Sequence, residues 1–461
     1  MYKIDFQHPC HIHFIGIGGI SMSGFATLLH EAGFTVTGSD GKQSAVTDEL
    51  VRQGIQVVIG QRAENITKDI DVVVYTAAIN PDNPEFVAAV NAGVPMMDRA
   101  EMVGQVMRIY AESIAVAGTH GKTTTTSMLA HILLEADKDP TISVGGMLPA
   151  IGGQIRVGHS DTFLLEACEY TNSFLKFFPQ ISIILNVDAD HLDFFKDLDD
   201  IRNSFRLFAR KLPEDGLLVI NGEIPNLDYF MEDLPCRNVL TFGRDGGQYN
   251  YSAADVTFDE SGCPSYTLIK DGKAQERIDL HVVGDHNVTN SLSAIAVADY
   301  IGIPREQTLA GLASFHGTDR RFQHKGELNG FTIVDDYAHH PTEIEATLKA
   351  VRNTSYTKVW CVFQPHTYSR TKELLHQFAE ALSLADHVIL ADIYAAREVD
   401  PGDISSRDLQ KLIAEKGTPC EYFPSFSEIE KFILKNVMPG ELLITMGAGD
   451  VVNIGESLLR G

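Results

Sequence analysis

The clearest chemistry in the chain lies in Ala117-Gly118-Thr119-His120-Gly121-Lys122-Thr123-Thr124-Thr125-Thr126. This stretch separates the apolar run SIAVAG (113–118) from the helical pattern SMLAHILLEA, the context that a phosphate-binding loop requires. In such a loop backbone N–H groups surround a triphosphate, the Lys122 ammonium neutralises its outer oxygens, and the Thr123 hydroxyl ligates a divalent cation. Gly118, Thr119, His120, Gly121, Lys122, Thr123 and Thr124 are therefore candidate ATP contacts. The glycine usual five positions before Gly121 is replaced by Val116, so the loop is a variant. Glu166 ends TFLLEA and His191 sits in NVDADHLD, each just past an apolar strand. With Thr123 they form a candidate Mg²⁺ or Mn²⁺ set, because no thiolate accompanies them as zinc would favour. Taken singly, either residue could equally cap a strand end. Glu169, Asp188, Asp190 and Asp193 read mostly as acids of a solvated loop.

A second glycine loop, Gly16 to Gly24 (GIGGISMSG), also follows a strand and opens a helix. Gly18, Gly19, Ile20 and Ser21 could hold a pyrophosphate there. The next strand, FTVTG, ends at Ser39-Asp40, where an acid meets a ribose hydroxyl in dinucleotide-binding folds. Ser21 stands where the third glycine of that fingerprint belongs. A redox dinucleotide, a nucleotide sugar such as a UDP compound, and a tight turn without ligand all stay open. His286 to Asn290 (HNVTN) opens a helix, and its amides could read a base edge or cap that helix. Arg320, within Gly317–Phe322 at a presumed hinge, could reach a transferring phosphate or form a solvated charge pair. Asp335 to Pro341 (DDYAHHP) and Gln364 to Thr371 (QPHTYSRT) bring His339, His366 and Arg370 to neighbouring strand ends, a possible substrate edge. Capping by Asp335, Asp336 and Thr367 is the blander alternative, and the two can coexist. His11 and His13 alternate on a strand and read as packing residues.

The elements that must position these groups recur as short apolar runs, each followed by a break and a helical pattern. HIHFI (11–15), DVVVYTAA (71–78), ISIILNV (181–187), FTIVDD (331–336), KVWCVF (358–363) and ELLITMG (441–447) are examples. Runs this apolar are buried on both faces, so the fold class is α/β, with parallel sheets covered by helices. Each glycine loop needs its own sheet. Boundaries fall near 111 and 319, and the polar-alternating strands of 217–283 read as an antiparallel patch in the middle domain. A length of 461 residues fits two to four domains. The chain has 37 Lys plus Arg against 62 Asp plus Glu, a net charge of −25, which excludes undirected binding to nucleic acid or anionic membranes. Its six cysteines are widely spaced and read as reduced thiols. The N-terminus is unlike a signal peptide and no apolar run spans a membrane, so a cytoplasmic location is expected.

Together GIGGISMSG, GSD, AGTHGKTTTT, Glu166 with NVDADHLD, HNVTN, TDRRFQ, DDYAHHPTE and FQPHTYSRT resemble the Mur ligase family, in order and spacing, over essentially the whole chain. The resemblance implies a Rossmann-like UDP-sugar domain (1–111), a P-loop ATPase domain (112–318) and a Rossmann-like C-terminal domain admitting the amino acid (319–461). It implies ATP and Mg²⁺ (or Mn²⁺) as requirements, and UDP-N-acetylmuramate and L-alanine as substrates, joined through an acyl phosphate during peptidoglycan precursor synthesis. By the same resemblance Lys122 and Thr123 hold ATP and metal, and Glu166 and His191 position the metal. Asn290 and Arg320 contact ATP, while His339, His366 and Arg370 line the amino-acid and acyl-phosphate region. Lys122, His191, His339 and Arg370 are then the catalytic set, and Gly18, Gly19, Ile20, Ser21, Ser39 and Asp40 hold UDP. Several relatives carry a carbamylated lysine beyond the metal histidine. Here that segment reads NSFRLF around Arg206, so no modified lysine is expected there. Oligomeric state is left open.

Overall fold

The computed structural model describes residues 2–76, 78–192, 194–244, 248–352, 354–396 and 398–460. Among these the apolar runs form strands, and the strands assemble into three sheets. The first is five-stranded and wholly parallel, in the order Gln56–Ile59, Thr35–Asp40, His11–Ile15, Val72–Tyr75, Met96–Asp98. The order reverses beside His11–Ile15, so the loop after that strand opens at the crevice where α/β sheets bind ligands.

The second sheet is ten-stranded, with Glu112–Ala117 near its middle between Ile181–Ile184 and Thr162–Glu166. All three strand ends therefore converge on one edge. Leu217–Asn221 and Asn238–Gly243 extend this sheet in parallel; within 217–283 the antiparallel pairs are confined to Tyr251–Phe258, Pro264–Lys270 and Lys273–Asp279, and at the opposite edge Thr141–Leu148 and Gly153–Arg156 also pair antiparallel. The expected antiparallel patch of 217–283 is thus shorter. Leu217–Asn221 is buried along its whole length, as parallel strands covered on both faces are, and Asn238–Gly243, buried only at Phe242 and Gly243, continues its parallel register. The third sheet is six-stranded and parallel except for its edge strand Gln323–Leu328. No helix among the described residues is long and apolar enough to cross a membrane, and the cysteines are free.

The cores do not divide as the sheets do. One apolar core runs without a break from Ile12, Phe14 and Phe25 of the first sheet layer to Phe163, Phe174 and Phe205 of the second. Phe25 meets Phe163 edge-on at 6.2 Å between ring centroids. At Gly104 a side chain has no room: a Cβ would lie 2.0 Å from the Lys176 carbonyl oxygen. The third sheet has separate cores on its two faces.

Candidate active site

The loop after Glu112–Ala117 turns into the helix Lys122–Glu135 through Gly121, whose φ is 82°. A Cβ there would lie 2.7 Å from Asn290 Oδ1, so the position needs glycine both for its backbone and for Asn290 to approach. Asn186, at the end of the neighbouring strand, clamps the loop: it accepts from His120 N–H at 2.7 Å and donates to the His120 carbonyl at 3.0 Å. The Thr119 hydroxyl accepts the Asp188 N–H at 2.9 Å. Lys122 Nζ donates to the carbonyls of Gly118 (2.5 Å) and Thr119 (3.0 Å) and to Glu169 Oε2 (2.9 Å). Burial opposes the Lys122 charge, but the Glu169 carboxylate outweighs it and raises the ammonium above the ordinary lysine value. Thr123 Oγ1 donates to Glu166 Oε2 at 2.9 Å, and the same oxygen accepts the Gly145 N–H at 2.8 Å.

Two cavities open along the seam beyond this loop, and the loop itself lines the first of them. The first, of about 270 Å³, is lined by His120, Thr124, Asn290, Thr318, Arg321 and Glu343. The second, of about 330 Å³, is lined by Tyr170, Asp190, His191, His366, Arg370 and Glu398. Each lies between the second and third sheets, and the seam between those sheets is polar. Arg370 Nη2 donates to Asp190 Oδ1 at 3.2 Å, His340 Nε2 to the Ala189 carbonyl at 3.1 Å, and His120 Nδ1 lies 3.3 Å from Glu343 Oε1. Burial works against the Asp190 carboxylate, yet Arg370 and then His191 hold it well below the usual range. Burial, aided by the Arg370 charge, pushes His366 down to about 4. Burial does the same to His339, also to about 4, against the opposing pull of Glu343. The two imidazole rings stand 5.9 Å apart. At neutral pH they present neutral nitrogen atoms beside a fixed guanidinium and carboxylate.

The structure rearranges several sequence expectations. Glu166 holds Thr123 beside the phosphate loop, whereas His191 packs on Tyr170 at 4.5 Å and faces the second cavity. Among the described residues no group of three or more His, Cys, Asp or Glu could hold a metal, and Asp193 lies outside them. Glu169, read as a solvated acid, is buried on Lys122. Arg320 does not line the first cavity. Its guanidinium donates to Asp335 Oδ2 (3.0 Å) and the Gly447 carbonyl (2.7 Å), and it is Arg321 that faces the cleft, 3.7 Å from Glu343. Asn290 does face the loop, while Asn287 donates to the Val283 carbonyl at 2.9 Å and holds the helix start.

The helix Pro341–Val351 is capped by His340 rather than by Asp335 or Asp336. Asp336 instead accepts N–H groups of Phe322 and Ala338, and burial raises it to about 6. The Thr367 hydroxyl accepts no N–H from the helix it precedes; only its carbonyl does, from Thr371 at 3.3 Å. At the first glycine loop, Gly18 N–H donates to Asp40 Oδ2 at 2.9 Å and Arg99 to the Ser21 hydroxyl at 2.8 Å. Ser39 is fully buried, so it cannot touch a ligand. Its hydroxyl donates to Glu85 and its carbonyl accepts from Gly16 and Ile17, which shapes the loop from beneath. His11 and His13 both bond the Thr37 hydroxyl, a polar contact rather than apolar packing.

Sequence reasoning missed Glu343, Asn186 and Glu85, and within the 317–322 segment it settled on Arg320 where Arg321 lines the cleft. Glu343 had a signal, an acid in the first turn after Pro341, but its partner His120 lies far away in the chain.

Family models match in three consecutive stretches: Mur ligase family, catalytic domain, at 11–111; Mur ligase middle domain at 116–298; and Mur ligase, glutamate ligase domain, at 320–449. Among curated relatives, a UDP-N-acetylmuramate–L-alanine ligase of Lachnospira eligens is 58% identical over 460 residues, covering 100% of both chains. That of Agathobacter rectalis is 57% identical over the same length and coverage. Among solved structures, UDP-N-acetylmuramate-alanine ligase MurC from Thermotoga maritima superposes with a TM-score of 0.79 at 29% identity, covering 98% of each chain. A murein peptide ligase from Psychrobacter arcticus follows at 0.69 and 26%, again covering 98% of each. With all three stretches matched and full-length relatives above half identity, this chain belongs to the Mur ligase family.

Proposed function

We propose that the chain ligates L-alanine to the carboxylate of UDP-N-acetylmuramate at the expense of ATP, in peptidoglycan precursor synthesis. The observation that carries this reading is end-to-end identity of 58% to a relative named for that reaction. In it the units are 1–111 for the UDP-sugar, 112–318 for ATP and 319–461 for the amino acid. The first cavity takes ATP, with its phosphates on Gly118 to Thr124 and its far end toward Asn290. Arg321 replaces Arg320 as the arginine nearest the nucleotide. Gly18 to Ser21 with Asp40 hold the UDP group, and Ser39 supports that loop.

The substrate carboxylate attacks the γ-phosphorus, giving an acyl phosphate and ADP. The amine of alanine then attacks the acyl carbon, expels phosphate and loses a proton. Lys122 stabilises charge on the transferring phosphoryl group. Arg370 faces the second cavity and offers its cationic edge to the acyl-phosphate oxygens. Neutral His339, whose Nδ1–H donates to the Tyr337 carbonyl, keeps Nε2 as an acceptor for the amine's hydrogens, while His366 accepts from Arg370 through Nδ1 and so holds the guanidinium in place. Thr123 and Glu166 supply hard oxygen donors beside the loop, a set that suits Mg²⁺ (or Mn²⁺); bound there, the cation would neutralise phosphate oxygens. His191, packed on Tyr170 and lining the second cavity, would join it only through a change of position. A cytoplasmic site of action follows from the need for ATP and a nucleotide sugar.

The test is to supply ATP, Mg²⁺ and UDP-N-acetylmuramate with and without L-alanine, and to read phosphate release together with product mass. Alanine-dependent phosphate with a product heavier by one alanyl residue is expected. Turnover with a preformed tripeptide but not with alanine would contradict the reading.

A further inference from the structure

Thr367 holds a backbone conformation that threonine avoids. Its φ of 68° and ψ of 145° lie in territory that glycine occupies freely, and a β-branched side chain raises the cost. Nothing in its own side chain compensates by capping the helix Tyr368–Glu373. The turn is held instead by Tyr394 and Glu398. Thr367 N–H donates to the Tyr394 carbonyl at 2.9 Å, and Tyr394 N–H to the Pro365 carbonyl at 2.8 Å. The rings of His366 and Tyr394 stack at 5.6 Å. The Glu398 carboxylate then accepts the N–H of Tyr368 at 2.6 Å, the N–H of Ser369 at 3.0 Å, and the Ser369 hydroxyl. Both N–H groups are among the four that a helix start leaves without partners, and that of Ser369 is one a capping side chain at Thr367 would have taken. The next residue is Arg370, which reaches Asp190 across the seam and lies 3.3 Å from His366 Nδ1 through Nη1.

We propose that Glu398 is a positioning residue for the ligation step. From a separate segment, its carboxylate clamps the strained turn at Thr367 and thereby aims Arg370 and His366 into the second cavity. The proposal rests on the reading that this cavity takes the amino acid and the acyl group. The clamp serves that cavity and not the first: Thr367, Ser369 and Glu398 all line the second cavity, and among the described residues none of the three lines the first. Its loss therefore falls on the alanine-dependent step, while ATP and UDP-sugar binding persist.

The experiment compares steady-state kinetics of the full chain with Glu398→Ala, Glu398→Gln and Glu398→Ala/Thr367→Gly. Glu398→Ala lowers kcat/KM for L-alanine about tenfold or more, since small misplacements of a reacting constellation are costly. Its KM values for ATP and UDP-N-acetylmuramate stay within about twofold, which also shows that the variant is folded. Glu398→Gln keeps an accepting oxygen and recovers most of the loss. Thr367→Gly recovers part of it in the alanine background, because glycine adopts this backbone without a clamp. Unchanged alanine kinetics in Glu398→Ala, equal losses toward all three substrates, or no recovery in either rescue variant overturns the proposal. A wild-type chain without alanine-dependent phosphate release would instead sink the ligase reading on which it rests.

Discussion

The middle sheet meets its two neighbours through opposite kinds of surface. Toward the first sheet it offers a continuous apolar core, with Phe25 on Phe163, Tyr110 on Phe163 and Gly104 against the Lys176 backbone. Toward the third it offers side-chain charges and carbonyls: Asp190 to Arg370, Ala189 to His340 and His120 to Glu343. Burial of aromatic rings stabilises an interface without regard to pH and cannot open cheaply. The charged pairs across the second interface are largely buried, so the cost of taking them out of water offsets much of their attraction and they hold the interface less firmly than aromatic packing does. The first arrangement makes one rigid body of the two sheets that would carry UDP-sugar and ATP. In the proposed reaction the second would let the third sheet part from that body to admit substrates and return to exclude water from an acyl phosphate.

The largest expected effect breaks the apolar side of this contrast. Phe163→Ala removes a fully buried ring shared by both layers, and should cost about 3–5 kcal/mol in unfolding free energy, measured by urea titration. Because one core serves both sheets, they should lose stability in a single transition. Separate transitions for residues 1–111 and 112–318 would contradict the shared core.

On the polar side, Glu343→Gln removes the charge that faces His120, His339 and Arg321. It should lower kcat about tenfold while leaving the urea midpoint of the first two sheets in place, since coupling of a close charge pair is of that order. Equal loss of stability and turnover would mean that this seam, too, is structural.

These two expectations show where the sequence was readable and where it was not. The strands HIHFI, SIAVAG and KVWCVF announced their sheets because burial on both faces leaves a continuous apolar signature. The phosphate loop was legible because glycines, Lys122 and Thr123 act from adjacent positions. The seam was not legible. Glu169 reads as a loop acid until Lys122 is brought to it, and Glu343 as a helix-opening acid until His120 arrives from another sheet. Arg320 and Arg321 are neighbours in sequence, and only the packing of Asp335 decides which of them turns inward. The fusion of two domains by one core left no trace either, since alternation reports that a face is buried and not against what.

A smaller effect sharpens the comparison through pH. Burial resists a charge on His120, but its hydrogen bond to Glu343 and the nearby Glu343 and Asp188 carboxylates raise it above the ordinary 6.5. Its contribution to closure is thus fully present below 6.5 and lost as pH rises through the raised value. His339 and His366, depressed to about 4, act in the opposite sense: their contribution is present above 6.5 and lost as pH falls toward about 4. Closure of the third sheet, followed by fluorescence transfer between labels on the first and third, should be strongest near 6.5 and weaken on both sides. A monotonic dependence would contradict the assignment of these groups to the seam.

The most direct measurement is hydrogen–deuterium exchange at both interfaces, without ligands and with ATP, Mg²⁺ and UDP-N-acetylmuramate. Amides around 186–192, 337–343 and 366–370 should exchange readily in the free protein and become protected with substrates, while those around 102–107, 155 and 163–165 stay protected throughout. Equal protection of the polar seam in both conditions, or earlier exchange at the apolar interface, would contradict the account of one sealed and one working interface.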